Sequence, residues 1–169
     1  SGHGFFADYR SSYNQKDAKA LRNIGFGVVN SHRDDGVHRG TSFTLGLIDN
    51  QDESFRIISE KTAEHFSFSR SQTSNQSYPS STMGAMALIR QLYYDADWYS
   101  QGLSKTKDLA LESAIENRDI PKLFDADDKL NVYRAAKISA EINLDFVIKG
   151  SGKEYENVRE LKKFNNKLI

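Results

Sequence analysis

The last third of the chain repeats one pattern of apolar and polar positions, in which a short apolar strand is followed by a helix with one apolar face. The pattern predicts strands over residues 123–126, 145–149 and 167–169 and helices over residues 128–142 and 153–165. Strand–helix–strand units of this length build parallel sheets with right-handed crossovers. The sequence therefore predicts a parallel α/β sheet in this part of the chain.

Earlier positions predict shorter elements. A helix over residues 17–24 is expected to end at Gly25, because glycine suits the left-handed position after a helix. The apolar run over residues 26–32 ends in polar residues and is typical of a buried strand with a functional tip. Further strands are expected over residues 42–48, 55–58 and 63–69.

Two helices are expected in the middle of the chain, after a polar stretch at residues 69–82 that indicates an exposed loop. The first begins after Pro79 and ends at Gly102, and the second begins at Thr106 or Lys107 and ends before Pro121. We interpret residues 1–15 as an irregular arm and residues 16–169 as one domain or part of one.

Composition narrows the classes of function. The 23 basic and 23 acidic residues cancel, and no basic run is present, so binding to nucleic acid is not expected. The absence of cysteine excludes disulfides and thiolate sites, and the apolar runs are too short for membrane insertion. The start has neither an initiator Met nor the apolar core of a signal peptide, which favours a processed or excised segment.

Ligands of parallel sheets bind at the carboxyl ends of the strands, where the sequence places Asp125 and Lys149. Asp125 has the chemistry of a general base or a metal ligand. Asp127 or Asp128 is explained equally well as the N-cap of the following helix. We also expect Asn30, at the tip of an earlier strand, to lie on the same rim.

Three further candidates come from loops. His32 and His38 flank a segment with two aspartates, a set that can bind a divalent metal, although the spacing matches no established signature and a histidine in a polar loop is usually solvated or hydrogen-bonded. Arg39 lies between two glycines, which either let the backbone approach a ligand closely or shape a loop or hairpin. Gly150 and Ser151 begin a turn that either caps a helix or binds an anion, and the turn lacks the spacing of a Walker loop.

Several segments in order resemble the amidohydrolase superfamily, in particular its imidazolonepropionase-like branch and the envelope or secreted members from Bacteroidetes-type bacteria. Residues 24–30 (IGFGVVN) and 36–41 (GVHRGT) are similar to that branch's second-strand stretch and hairpin. Residues 81–91 resemble its next helix, and residues 124–128, 145–150 and 154–155 resemble its later βαβα stretch. The resemblance implies an α/β fold: a partial (β/α)8 TIM-barrel-like segment with mostly parallel strands and a β-hairpin excursion near residues 36–58.

The resemblance also implies a function. Active members are metal-dependent hydrolases of C–N bonds in amides or cyclic amides, so it implies a zinc-like divalent metal and a small amide-type substrate in a full-length protein. It implies no cofactor in this fragment, the rest of the same barrel as partner, and a periplasmic or secreted location. An incomplete barrel exposes strand edges, which makes a homodimer of the fragment a further expectation.

The chain departs from the family pattern where the metal ligands belong. It has no His-x-His pair, Asp125 aligns with a family histidine, and Lys149 stands where a later strand can end in histidine. We therefore expect Asp125 and Lys149 as catalytic residues, with His32 and Asp125 as metal ligands, in a fragment that is inactive alone. The predicted ligand-binding residues are Asn30, His32, His38, Arg39, Gly150 and Ser151. The alternatives are a non-catalytic descendant that binds a ligand or partner, and an anion-binding module built on Gly150 and Ser151.

Overall fold

The structure is a computed structural model that describes residues 14–49, 56–69, 79–102, 104, 106–152, 158–164 and 166–169. The predicted arm at residues 1–15 lies almost wholly outside the described residues. The same holds for most of the polar stretch at 69–82 and for the beginning of the helix expected over 153–165.

The helices are α1 (Gln15–Asn23), α2 (Thr82–Ser100), α3 (Leu109–Glu116), α4 (Lys129–Glu141) and α5 (Val158–Leu161). The strands are β1 (Val28–Ser31), β2 (His38–Thr41), β3 (Phe43–Gly46), β4 (Ile57–Ser59), β5 (Glu64–Ser67), β6 (Lys122–Asp125), β7 (Phe146–Lys149) and β8 (Lys167–Leu168). No helix in the part of the chain described here is long and apolar enough to span a membrane.

A five-stranded sheet forms the centre, in the order β2-β5-β6-β7-β8. β5 to β8 are parallel, and β2 pairs antiparallel with β5 at one edge. The register aligns Ser67 with Asp125 and Asp125 with Lys149, so the carboxyl ends of three neighbouring strands meet in one row. The predicted α/β class with mostly parallel strands is confirmed.

The core lies between this sheet and the helices. Alternate strand residues point to the same face, and Phe66, Phe124, Phe146 and Ile148 are buried in one cluster with apolar residues of α2 and α4. Helix α4 begins where predicted, because the Asp128 side chain caps it by accepting from the backbone N–H groups of residues 130 and 131.

A second sheet differs from what the sequence predicted. β1, β3 and β4 form a separate antiparallel sheet in the order β1-β3-β4. The prediction of a buried strand over residues 26–32 was wrong, since β1 is an edge strand whose Val28 is 49% exposed. Asn30 pairs with Thr44 in this sheet and does not belong to the parallel rim, because an apolar run does not specify which sheet receives it.

The strand expected over residues 42–48 is shorter in the structure, where it is β3 (Phe43–Gly46). The chain changes sheets at the buried Ser42, whose N–H donates to Ala63 O (2.7 Å), so that β2 and β3 pair with different partners. Gly40 lies at an irregularity in the β2–β5 register and has φ +79°, a conformation that glycine adopts without strain. The glycines around Arg39 therefore shape a bulged strand.

The capping hydrogen bonds of Asp128 should contribute measurably to the stability of the folded chain. Asp128→Ala should lower the free energy of unfolding by about 1 kcal/mol, because two N–H groups of α4 lose their acceptor. Denaturant unfolding followed by circular dichroism would measure the change. Asp128→Asn is the control and should restore most of the stability, since asparagine caps about as well; equal losses in both variants would contradict the capping role.

Candidate functional site

The candidate site lies at the row of strand ends, and its centre is the side chain of Asp125. Lys149 Nζ lies 3.2 Å from Asp125 Oδ1, and Arg39 Nη1 lies 3.3 Å from Oδ2. The aligned register of β6 and β7 places Asp125 beside Lys149. The structure thus brings together both residues predicted as catalytic, and each carboxylate oxygen faces a cation.

Arg39 connects three segments at this site. Its side chain is only 5% exposed, and a buried guanidinium is costly unless it is paired and hydrogen-bonded. Nε donates to Gly36 O (3.4 Å), Nη2 donates to Ser69 O (3.3 Å), and Nη1 also lies 3.6 Å from the exposed carboxylate of Asp34. Arg39 therefore attaches the loop before β2 and the segment after β5 to Asp125.

Two histidines stack beside these charges. The rings of His32 and His65 are 3.9 Å apart at their centroids and nearly parallel, at 14°. His65 is buried, and its Nε2 has no hydrogen-bond partner among the described residues. Burial lowers the pKa of His65 to about 4, with further lowering by His32 and Arg39 and an opposing effect of Asp125. His65 is therefore neutral near pH 7.

Sequence reasoning did not select His65 as a site residue. The signal was present, because residues 65–68 alternate histidine, phenylalanine, serine and phenylalanine. The phenylalanines are buried in the core, so His65 and Ser67 point to the opposite face of the sheet. What the sequence alone could not show is that this weakly patterned strand lies in the middle of the sheet next to β6.

Asp127 shapes the loop that follows β6. Its carboxylate accepts from Ser69 Oγ (2.5 Å) and from Asn131 Nδ2 (2.5 Å), and these hydrogen bonds hold its pKa below the usual range. Of the two aspartates between which the sequence left the N-cap open, Asp128 is the cap. Asp127 instead ties the segment after β5 to α4.

The ring of His38 lies away from this rim, whereas Gly150 follows β7 directly at the rim and its amide is already hydrogen-bonded. His38 bonds to Glu64 and stacks on Phe66, which places its ring on the opposite, helix-facing side of the sheet. The Gly150 N–H donates to Ile169 O (3.0 Å), so this amide continues the β7–β8 pairing. Ser151 is exposed beside the turn at Gly152, whose φ is +83°.

The described residues do not fit a divalent metal. Among them, no three histidine, aspartate or glutamate side chains are arranged to hold an ion. Both oxygens of Asp125 contact cations, and His32 stacks flat on His65 with its Nδ1 2.6 Å from Arg33 O. The predicted pair of His32 and Asp125 therefore has the wrong surroundings for shared coordination.

Comparisons with known proteins bear on the fold. No protein-family model and no curated protein matches the chain. The chain is similar to the crystal structure of an amidohydrolase from Thermotoga maritima MSB8, with a TM-score of 0.75 and 16% sequence identity. The match covers 94% of this chain and 46% of that chain, so this chain spans less than half the length of the solved one. The predicted likeness to amidohydrolases is confirmed for the fold, as part of such a structure.

The ion pairs of Asp125 predict unequal effects of two substitutions. Asp125→Asn should lower the free energy of unfolding by about 1–2 kcal/mol, because it leaves the buried Arg39 without its carboxylate at 3.3 Å. Lys149→Met should cost less than about 1 kcal/mol, since the Lys149 side chain is 67% exposed and its pair is screened by solvent. Urea unfolding would separate the two, and equal losses would show that Arg39 does not depend on Asp125.

The lowered pKa of His65 predicts a pH dependence. Between about pH 6.5 and pH 4 the unfolded chain binds a proton at His65 that the folded chain excludes, so stability should fall as the pH falls through this window. The loss should be on the order of 3 kcal/mol and should be absent from a His65→Gln variant.

Unfolding free energies of the native chain and of His65→Gln, compared at pH 7 and pH 4.5, would measure the difference. An NMR titration of the histidine rings supplies an independent check. A His65 ring that titrates near its usual pKa of 6.5 would contradict the prediction.

Proposed function

We propose that this chain is a segment of an amidohydrolase-like hydrolase that acts on C–N bonds of amides or cyclic amides, as in the imidazolonepropionase-like branch. The observation that carries the proposal is the position of Asp125 and Lys149 in contact at the strand ends of a fold similar to an amidohydrolase. Substrates of parallel α/β enzymes bind at this end of the sheet.

Hydrolysis of an amide requires a group that takes a proton from the attacking water and a group that stabilises the charge growing on the carbonyl oxygen. In the proposed reaction Asp125 takes a proton from the attacking water and returns it to the leaving nitrogen as the C–N bond breaks, which gives a carboxylic acid and an amine. Lys149 Nζ, 3.2 Å from Asp125 and largely exposed, donates a hydrogen bond to the oxyanion. Arg39 holds Asp125 in place from the buried side. No step is assigned to a metal ion, because the described residues do not fit one.

The proposal includes partners beyond this chain. The remaining strands of a barrel would come from further sequence of the same protein, and they would add the zinc-like ion expected of a complete family member. The substrate would be a small molecule with an amide bond. The chain by itself would be inactive and could associate as a homodimer. The proposal includes no nucleic-acid partner and no insertion into a membrane, and the proposed location is periplasmic or secreted.

One observation favours a second candidate function, a non-catalytic barrel descendant that binds a ligand or partner. Both oxygens of Asp125 are already paired with cations inside the described structure. Because Arg39 and Lys149 already neutralise Asp125, this carboxylate can have a purely structural role that requires neither a bound water nor a metal ion. Binding without turnover would follow from this arrangement.

The test uses a longer protein that includes the flanking sequence, together with the present chain. Hydrolysis of a panel of N-acyl amino acids and cyclic amides would be followed by chromatography, and bound metal by mass spectrometry. We expect turnover in the longer protein, a loss of about 100-fold or more in Asp125→Asn, and none in the chain alone. Asp145→Asn is the matched control, because this exposed carboxylate precedes β7 at the other end of the sheet.

The outcomes separate the two candidate functions. Turnover that is lost in Asp125→Asn and kept in Asp145→Asn supports the hydrolase. Saturable binding of an amide without turnover, equal in the native protein and in Asp125→Asn, would overturn the hydrolase proposal and support the binding domain.

A further inference from the structure

A cavity of about 260 Å³ lies on the helix-facing side of the sheet, across from the Asp125 rim. Its volume is slightly below the range of roughly 300–1,000 Å³ that is usual for small-molecule sites, which suits a ligand of fragment size. The cavity is bounded by β2, by α2 and by α3. The lining includes Val37, His38, Leu88, Leu92, Asp95 and Leu111.

His38 lines this cavity, and one nitrogen of its ring has a defined hydrogen-bond partner. Its Nε2 lies 2.6 Å from Oε1 of Glu64, which is fully buried. A carboxylate only accepts hydrogen bonds, so Nε2 carries the hydrogen and donates it to Glu64. In the neutral ring the other nitrogen, Nδ1, then has a free lone pair and is an acceptor.

Glu64 is itself held in place. Its Oε2 accepts from Tyr93 OH (3.3 Å) and lies 3.5 Å from Lys122 Nζ, which also donates to three backbone carbonyls at residues 117, 118 and 120. Burial lowers the pKa of Lys122, and Glu64 opposes that effect. The network holds the His38 ring in one orientation, and the proposed reaction at the rim does not use it.

The other polar groups of the cavity are mainly acceptors too. Asp95 lines the cavity, and its side chain makes no hydrogen bond or ion pair with any residue that the structure describes. Asp108 also lines it, and one of its oxygens caps α3. Among the described residues that line the cavity there is no lysine or arginine, and the walls at Val37, Leu88 and Leu92 are apolar.

We propose that this cavity binds a small organic amine. The ammonium group pairs with Asp95 and donates a hydrogen bond to Nδ1 of His38, and the apolar body of the ligand lies against Leu88, Leu92 and Leu111. A cation is favoured because the lining supplies two carboxylates and, among the residues that the structure describes there, no lysine or arginine. This site is separate from the rim at Asp125 and does not depend on the proposed hydrolysis.

The test is an NMR titration of the chain with three probes that share one ring: benzylamine, benzyl alcohol and benzoate. We expect saturable shifts of the backbone amides of residues 38, 92 and 111 with benzylamine, at a Kd of about 1 mM. Benzyl alcohol and benzoate should bind at least about tenfold more weakly, because neither supplies a positive charge.

Substitution of Asp95 tests whether this carboxylate is the group that binds the ammonium ion. Asp95→Asn should weaken benzylamine binding about fivefold, since an ion pair at a partly exposed site is lost. Asp95 is exposed, so the variant should fold, and its amide spectrum checks this. Asp145→Asn is the control, because it removes the same charge far from the cavity and should leave benzylamine binding unchanged.

Three results would overturn the proposal. The first is no saturable shift with benzylamine up to about 20 mM, which is well above the expected Kd. The second is equal binding of benzyl alcohol, which would mean an apolar cavity without charge recognition. The third is equal weakening by Asp95→Asn and Asp145→Asn, which would mean attraction by overall charge. None of them bears on hydrolysis at the rim.

Discussion

The in-register parallel pairing of β5, β6 and β7 is the constraint on which both candidate sites depend. It sets Ser67, Asp125 and Lys149 side by side, and strand alternation then sends neighbouring residues to opposite faces. One face carries the ion pairs of Asp125, and the other carries the aromatic core. A shift of one residue in this register would exchange the faces and move Asp125 toward the helices. The geometry of the rim is therefore a property of the sheet as a whole.

The charged groups on the two faces of the sheet differ in how deeply their partners are buried. On the helix-facing side, Glu64 and Lys122 are almost fully buried, and every polar contact they make is internal to the domain. On the rim, Arg39 is buried while its partners Asp125 and Asp34 remain partly or largely exposed. A buried pair of the first kind is costly to break, whereas the rim pairs can be exchanged for a ligand at lower cost. This contrast explains why the rim is the better candidate for chemistry and the Glu64 network the better candidate for holding His38 in place.

Local sequence patterns predict the structure well where one period dominates and poorly where polar and apolar patterns compete. The helix before β7 and its aspartate cap were predictable, because capping and a 3.6-residue period are local properties. The prediction for residues 26–32 was wrong. The apolar residues of this run indicate a buried strand, but in the structure the strand lies at an exposed sheet edge. The stretch at residues 38–41 was interpreted either as a close approach to a ligand or as a loop or hairpin shaped by its glycines, and it forms β2 with a bulge at Gly40. His65 was not selected because its strand is short and its partners are distant in sequence.

The sequence by itself determined the α/β class, the βαβ order of the last third and the position of Asp125 and Lys149 at strand ends, since these follow from period and spacing along one stretch of chain. The tertiary structure alone decided which strands share a sheet, that Arg39 reaches Asp125 across 86 positions of sequence, and that His38 turns away from the rim toward Glu64. The physical reason is that register and burial arise from contacts between distant segments. Local propensity carries no information about those contacts.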